Sequence, residues 1–464
     1  MSISAASEKD IKKREFIISG NMLNVVLYIS LPLIALNAFT YLYGIIDTIV
    51  LAGKESSVLS SVVMIDQLKN MFTAIGGGLA TGGSIIVSRL IGKNDFDRAK
   101  KVSSTILVVA VIVSMVLMAA VLPFSKPILR LAGFTDELID LGLGYFIVQI
   151  CTVGVMIFNS VFLGLEKSRG ATLNVLFINL AVMGVKIGLT LMFVFVFEMD
   201  TVMVAVATLL ANLIVTAYAF VMLGRKRYLF RFSRRNVSLK KEILAPLGKL
   251  GFPVFLGKFV FSLGKVIVNA MAVNYGDDAP GALGISNHIS GSVTNVTGSV
   301  EESTSAIISQ NIGAGKKNRA YSAFFCSLGT TITIAVIGVI LLVVFEKDIV
   351  SFFAKEESYA ALISKIFGYE RVGIIALAIN SAVMGLIYGL GYTKLSMIVN
   401  LSRLFVFRVP SMIIMMNCFP SLGAESLGIA MLVSNCGIGL MSVVIAVVCL
   451  IKLKNKVFED KIKI

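Results

Sequence analysis

The feature of this sequence that most constrains its fold is a set of residues that repeats at one constant spacing. Each member recurs 221 positions later. The pairs are Pro32 and Pro253, Ser88 and Ser309, Arg98 and Arg319, Gly164 and Gly385, and Gly170 and Gly391. This spacing predicts a tandem duplication of one unit. Repeated membrane halves are typical of secondary transporters, in which two similar bundles expose one site to either side in turn.

The hydrophobicity of the chain places these halves in a membrane. Of its 464 residues, 57% are hydrophobic and 15% are charged, and the mean hydropathy is +0.90. A helix needs about 20 apolar residues to cross a bilayer, and twelve stretches of this kind occur. They are residues 24–52, 57–90, 102–123, 138–163, 172–197, 202–223, 247–274, 284–312, 321–345, 360–389, 395–418 and 424–451.

The distribution of basic residues predicts the orientation. Lys and Arg number 42, of which 28 lie in or beside the loops of one side and 5 in the loops of the other. Cytoplasmic loops carry such an excess of positive charge. We therefore expect both termini to be cytoplasmic and the protein to lie in the plasma (inner) membrane. The net charge of +15 is explained by these loops and by contact with anionic lipid, so no nucleic-acid partner is expected.

These observations predict an all-α polytopic membrane protein with twelve transmembrane helices. The helices form two parallel six-helix bundles related by a pseudo-twofold axis along the membrane normal. We expect the protein to function as a monomer in the lipid bilayer. The predicted segments are a cytoplasmic N-terminus (1–23), an N-lobe (24–223), a basic cytoplasmic linker (224–246), a C-lobe (247–451) and a cytoplasmic tail (452–464).

Proline opens both halves and predicts a hinge in each. Pro32 and Pro253 lie early in the first and seventh spans. Proline removes a backbone donor and bends a helix, which a membrane protein tolerates where neighbouring protein or a cavity satisfies the freed carbonyl. We therefore expect both spans to line the interior.

The residues described so far, together with several short motifs, resemble the multidrug and toxic compound extrusion (MATE) transporters. The motifs are Ile46-Asp47-Thr48 in the first span, the run from Ser309 to Gly315, and Arg408-Val409-Pro410. The resemblance covers about residues 20–450. It implies a secondary active antiporter that exports organic, often cationic and amphipathic compounds in exchange for H⁺ or Na⁺ by alternating access.

The resemblance also suggests ion-coupling residues in the N-lobe. Ionisable groups inside a bilayer are costly and therefore mark functional sites, and Asp47 matches the acidic residue that such transporters use for ion coupling. In the fifth span, one register places Lys186 and Thr190 where Na⁺-binding relatives carry Asn and Asp, and another uses Asn179 and Met183. In the first register, Lys186 pairs with Asp47 as a tethered cation. Neither register supplies a second carboxylate.

The C-lobe has its own set of charges within the spans. Lys258 and Lys265 lie seven residues apart and therefore share a helix face. Glu301 and Glu302 interrupt the eighth span. If they are desolvated together, at least one carboxyl pKa rises and the pair can carry a proton; alternatively, one neutralises Lys258 and the other faces cavity water. Arg403 and Arg408 are expected to have structural partners or to snorkel, and Glu370 to pair with Arg371.

The remaining candidates concern the substrate cavity and metal binding. By resemblance, Tyr145 matches an aromatic position of the first-lobe pocket; Asn179, Lys258, Lys265 and the only histidine, His288, complete the predicted cavity. One histidine and five cysteines without Cys-x-x-Cys spacing predict no metal site. We expect no cofactor beyond the transported ion, and no enzymatic activity. The alternative functions are a flippase for a lipid-linked saccharide and an exporter of an organic anion.

Overall fold

The computed structural model describes residues 8–52, 56–276, 278–354 and 356–454, except for the side chains of residues 42–61 and 63. The described residues are almost entirely helical and contain no β-strand. The first eight helices are α1 (Glu8–Ser19), α2 (Met22–Ala52), α3 (Ser56–Gly92), α4 (Phe96–Val121), α5 (Ser125–Leu131), α6 (Asp136–Ser168), α7 (Thr172–Leu191) and α8 (Thr201–Gly224). The last eight are α9 (Lys241–Ala272), α10 (Ala279–Gly313), α11 (Lys317–Val344), α12 (Glu346–Phe353), α13 (Glu357–Leu390), α14 (Thr393–Ser402), α15 (Val409–Cys418) and α16 (Glu425–Lys454).

The lengths and hydropathy of these helices confirm a polytopic membrane fold. Eleven segments of the described chain are long and apolar enough to cross a bilayer. Helix α10 covers the remaining predicted span at 35 residues. It is not among the eleven because Ser, Thr, Asn and the two glutamates 301 and 302 occur along it.

Two turns of each repeat adopt the same unusual backbone. Asn94 follows α3 with φ 64°, and its repeat partner Gly315 follows α10 with φ 74°. Gly170 and Gly391, which follow α6 and α13, have φ values of 74° and 80°. Glycine and asparagine adopt this left-handed conformation at low cost. The duplication inferred from the sequence is therefore reproduced in the backbone.

Both prolines of the predicted hinges lie inside continuous helices. Pro32 is within α2, and Pro253 is within α9 together with Pro246. Each interior proline removes one hydrogen bond from its helix. A hinge role for Pro32 and Pro253 stays a prediction.

The chain divides into two compact units. Among the described residues, the first unit contains 8–16 and Phe39–Phe259, and the second contains Ile17–Ala38 and 260–454. This division differs from the predicted lobes, since it assigns residues 22–38 of α2 to the second unit and residues 241–259 of α9 to the first. The predicted lobe and linker boundaries stay a prediction.

Each unit is built around one central helix. In the most apolar part of α13, 72% of the residues are buried, and in α6 the share is 61%, against 11% in α7. Phe146 and Ile150 of α6 belong to the apolar core of the first unit, and Phe367 and Ile374 of α13 to that of the second. The central helices therefore position the polar groups described below.

The N-terminal helix α1 is anchored on the first unit. Arg14 donates hydrogen bonds from Nε to the carbonyl oxygen of Ile91 and from Nη2 to that of Gly92, both at 2.8 Å. These carbonyls lie at the C-terminal end of α3, where a helix has unpaired acceptors and a partial negative charge. Arg14 thus caps α3.

Candidate functional site: a basic cluster and an acidic cluster

The second unit contains an irregular helical segment that brings two arginines together. Residues Arg403–Arg408, between α14 and α15, form a π-helix. Its i→i+5 hydrogen bonds place residues five apart on the same side, and such segments occur often at functional sites. Arg403 Nη2 and Arg408 Nη2 both donate to Oδ1 of Asn435 in α16, at 2.9 and 3.3 Å.

A lysine from α9 joins the two arginines. The Arg403 guanidinium carbon lies 4.9 Å from the centre of the Phe261 ring, and Lys265 Nζ lies 5.3 Å from the same ring centre. Both distances are within the range of cation–π attraction. We call Lys265, Arg403 and Arg408 the basic cluster.

One carboxylate faces the basic cluster. Glu370 of α13 is 4% exposed and accepts a hydrogen bond of 2.5 Å from Ser286 Oγ of α10. Arg408 and Arg403 interact with it electrostatically. The predicted pairing of Glu370 with Arg371 is wrong: Arg371 Nη1 contacts Glu346 at 2.6 Å instead. Adjacent residues on a helix point about 100° apart, so Glu370 points into the unit while Arg371 points towards α12.

The first unit contains an acidic cluster. Asp66 of α3 forms an ion pair of 2.6 Å with Lys69, as the three-residue spacing suggests. Tyr145 Oη and Gln149 Nε2 of α6 both donate to Asp66 Oδ1 at 3.4 Å. Gln149 Nε2 also contacts Tyr145 Oη at 2.8 Å. Among the predicted cavity residues, Tyr145 is buried and contacts a carboxylate whose side chain is 38% exposed. We call Asp66, Lys69, Tyr145 and Gln149 the acidic cluster.

The acidic cluster, as defined above, does not include the other predicted residues of the first unit. The side chain of Asp47 lies outside the described residues. Lys186 is half-buried, and Thr190 is 3% exposed. Asn179 Nδ2 donates to the carbonyl oxygen of Val175 on its own helix at 2.7 Å. Lys258 is half-buried beside Gly77, since a Cβ atom at that glycine would lie 3.2 Å from Lys258 Nζ. Their roles stay predictions.

The predicted residues of α10 differ in their exposure. Glu301 is partly buried and Glu302 is exposed, so protein atoms do not desolvate the two carboxylates together. The two lie on different sides of α10 because adjacent helical residues are rotated by about 100°. His288 is exposed, with its ring centre 6.2 Å from that of Phe353.

A third polar network lies at the end of α6 in the first unit. Glu166 is 1% exposed and accepts hydrogen bonds from Arg169 Nη2 at 2.8 Å and Tyr228 Oη at 2.5 Å. Arg169 Nη1 also contacts Asp10 Oδ1 of α1 at 3.1 Å. Burial opposes the charge on Arg169, but Glu166 outweighs it and raises the pKa of Arg169. Burial and the negative charge of Glu166 also raise the pKa of Tyr228 well above its usual value. Two carboxylates therefore compensate this buried cation.

The second unit also contains an apolar cavity of about 700 Å³ between α2, α10 and α11. Leu27, Ile34, Val293, Val296 and Ile334 are among the residues that line it. None of the predicted cavity residues is in its lining. Its walls are mainly aliphatic. It has a volume suited to a small organic molecule.

Sequence reasoning missed most of the basic cluster. It treated Arg403 and Arg408 as structural or snorkelling residues and assigned no role to Asn435 or Ser286. The available signal was two arginines five apart inside an apolar span, which is costly in a membrane. The described residues contain no group of three or more His, Cys, Asp or Glu side chains that could hold a metal ion.

Comparison with solved structures shows the same fold over nearly the whole chain. An outward-facing multidrug resistance MATE family transporter of the MOP superfamily matches with a TM-score of 0.90 at 18% identity, over 97% of this chain and 99% of that one. A MOP superfamily transporter from Pyrococcus furiosus, whose binding pocket of reverse polarity is said to suggest a different function, matches with a TM-score of 0.90 at 19% identity, over 97% and 99%.

Sequence comparison identifies the family. The multidrug export protein MepA of Staphylococcus aureus is 22% identical over 317 residues, which are 68% of this chain and 70% of that protein. The family model MatE matches twice, at residues 32–192 and 253–414. The two matches begin at Pro32 and Pro253, the first pair of the repeat. The chain therefore belongs to the MatE family.

Proposed function

We propose that this protein is a secondary active antiporter that exports organic compounds in exchange for H⁺ or Na⁺ by alternating access. The observation that carries the proposal is the double match of the MatE model to the two halves of the repeat. Two similar halves are the architecture of alternating access. The relatives named multidrug exporters support the substrate class.

Each unit offers a part of this mechanism. The acidic cluster holds a carboxylate among a hydroxyl, an amide and an ammonium group, and a carboxylate of this kind can exchange a proton or a sodium ion. The apolar cavity of the second unit supports binding of an organic molecule through hydrophobic contact.

We assign ion coupling to Asp47, Lys186, Thr190, Glu301 and Glu302, as the sequence suggests, and add Asp66. An antiporter needs at least one group whose negative charge is neutralised when the ion binds and restored when the ion leaves. We further propose that the protein acts as a monomer in the plasma membrane, with both termini in the cytoplasm and without a cofactor or an enzymatic reaction.

The test is transport in proteoliposomes with a Na⁺ gradient and a pH gradient imposed separately. Rhodamine 6G serves as a cationic dye and fluorescein as an anionic dye. We expect one gradient to drive dye movement, and Asp47→Asn or Asp66→Asn to abolish that dependence. Lys186→Ala should change the coupling or its pH dependence. Asp136→Asn, which changes an exposed ion pair, is the control.

Dye movement that responds to neither gradient would refute the antiporter assignment. If both Asp variants keep full gradient dependence, the coupling carboxylates lie elsewhere. The transport assignment itself then rests on the response of the unaltered protein.

An organic anion exporter is the second candidate function, and the basic cluster is the observation that favours it. Three cations and one carboxylate give this part of the second unit an excess of positive charge. The same dye panel separates the two candidates, because the driving gradient would move fluorescein and not rhodamine 6G.

A further inference from the structure

We propose that the basic cluster is a binding site for the carboxylate or phosphate group of a small organic anion. Lys265, Arg403 and Arg408 would contact this group. The inference rests on the proposed transport function and deepens it, since it names the class of substrate and the residues that bind it.

Charge balance is the first argument. Among the described residues, none of the three cations forms an ion pair with a carboxylate, and the nearby Glu370 can supply at most one negative charge against three positive ones. A cation inside a membrane protein is costly unless an opposite charge compensates it. An anionic ligand supplies that missing charge.

The first unit provides an internal comparison. Its buried cation, Arg169, is paired with Glu166 at 2.8 Å and with Asp10 at 3.1 Å. That site has the charge compensation expected of a purely structural cluster. In the basic cluster the shared acceptor is the neutral side chain of Asn435, which orients both guanidinium groups without neutralising them.

Unused hydrogen-bond donors are the second argument. A guanidinium group has five N–H donors, and Asn435 takes one from each arginine. Nε of Arg403 and Nε of Arg408 are buried, and neither has a hydrogen-bond partner in the described part of the chain. Guanidinium groups with free donors recognise carboxylate and phosphate oxygens in a bidentate manner.

Access is the third argument. Arg408 is 6% exposed, Arg403 is half-buried and Lys265 is exposed. The cluster thus runs from an exposed lysine to a buried arginine, so an anion can reach it from the side of Lys265. The ring of Phe261, in contact with two of the cations, offers an apolar wall for the organic part of the ligand.

The experiment measures fluorescein binding to the full-length protein in detergent by fluorescence anisotropy. Fluorescein carries an ionised carboxylate at neutral pH, and rhodamine 6G is a cationic dye with the same ring system. Asn435→Asp places a carboxylate between the two arginines with almost no change of volume. We expect fluorescein affinity to fall by about tenfold or more, while rhodamine 6G binding is retained.

A double variant, Arg403→Gln with Arg408→Gln, should lose fluorescein binding to a similar degree. Lys365→Gln is the matched control, because it removes a positive charge from an exposed ion pair of the same unit and should leave binding unchanged. If the double variant does not fold, as judged by its thermal unfolding, Asn435→Asp decides alone. Unchanged fluorescein affinity in Asn435→Asp would overturn the proposal.

Two sources of the anionic group are separated by repeating the measurement in micelles with phosphatidylglycerol or phosphatidylcholine. Competition by phosphatidylglycerol that disappears in Asn435→Asp identifies a lipid headgroup as a ligand of the site. Fluorescein binding that is equal in both micelles identifies a water-soluble anion.

The outcomes also separate this inference from the proposed function. If fluorescein binding depends on the basic cluster but neither gradient drives transport, the anion site is supported and the antiporter is rejected. If a gradient drives dye transport but no variant of the basic cluster weakens fluorescein binding, the antiporter is supported and the anion site is rejected.

Discussion

Ser309 Oγ donates a hydrogen bond of 3.1 Å to the carbonyl oxygen of Gly389, and thereby ties α10 to the central helix α13. The residues 221 positions earlier form the same contact in the other unit, where Ser88 Oγ donates to the carbonyl oxygen of Ser168 at 3.4 Å. All four residues are buried. A hydrogen bond to a helix carbonyl at the same place in both units is a structural element of the repeat.

Loss of this contact should destabilise the second unit. Ser309→Ala leaves the carbonyl of Gly389 without its side-chain donor, and we expect a cost of about 1 kcal/mol in the free energy of unfolding. Thermal unfolding in detergent measures it. Ser351→Ala, which changes an exposed serine that bonds to its own helix, is the control. Equal midpoints for both variants would contradict the expectation.

The left-handed turn after α10 should tolerate asparagine better than alanine. Gly315 has φ 74°, and a Cβ atom there would meet no atom within 4 Å. Only the backbone conformation therefore resists substitution. We expect Gly315→Ala to cost about 1–2 kcal/mol and Gly315→Asn less, because Asn94 occupies the equivalent position with φ 64°. The thermal unfolding midpoints of the two variants are the measurement. A lower midpoint for Gly315→Asn than for Gly315→Ala would contradict the expectation.

Close helix packing should make Gly385 intolerant of a methyl group. A Cβ atom there would lie 2.7 Å from Cβ of Thr304 and 2.9 Å from the carbonyl oxygen of Glu301. We expect Gly385→Ala to cost about 1–3 kcal/mol because α10 and α13 must move apart. Gly188→Ala in α7 is the matched control, since a Cβ atom there meets nothing within 4 Å. Comparison of their unfolding midpoints is the measurement.

The buried network around Arg169 should be sensitive to the loss of one carboxylate. Glu166→Gln leaves Arg169 with Asp10 as its only carboxylate partner among the described residues, and breaking a buried pair in this way costs about 3 kcal/mol or more. Asp136→Asn is the control; its pair with Arg130 is exposed and should contribute less than about 1 kcal/mol. The thermal unfolding midpoints of the two variants are compared, and similar midpoints would contradict the expected difference in stability.

Tyr228 should make stability fall at alkaline pH. Its pKa in the folded protein is raised by burial and by Glu166, whereas an unfolded tyrosine ionises near about pH 10. The contribution of Tyr228 to the free energy of unfolding is therefore complete below about pH 10, and it is lost as the pH rises towards the pKa of Tyr228 in the folded protein. Thermal midpoints measured from about pH 8 to 11 should fall less steeply for Tyr228→Phe. Parallel profiles for both proteins would show that Tyr228 makes no such contribution.

Local and periodic features were accessible to sequence reasoning. Apolar stretches predict spans because a bilayer excludes unpaired backbone groups. The repeat predicts which positions share a conformation: Gly170 and Gly391 both adopt positive φ. Asp66 and Lys69 are neighbours on one helix, so their ion pair also follows from spacing.

Contacts between distant helices were not accessible in this way. Tyr145 lies 79 residues from Asp66, and no local pattern links them. Glu370 was assigned to its neighbour Arg371, although helix geometry sends the two side chains in different directions and Arg371 reaches Glu346. The π-helical segment at Arg403–Arg408 likewise has no distinct sequence pattern.

The sequence by itself determined that this protein is a duplicated, helical membrane protein. The reason is that bilayer thickness and helix geometry set the length, hydropathy and spacing of the segments that cross a membrane. Only the tertiary structure decided which buried charges meet. The two arginines share one helical segment, whereas Phe261 and Asn435 each come from another helix. The register and rotation of each helix depend on packing across its whole unit. The sequence shows that a charged residue lies inside a span. The tertiary structure determines which group that residue contacts.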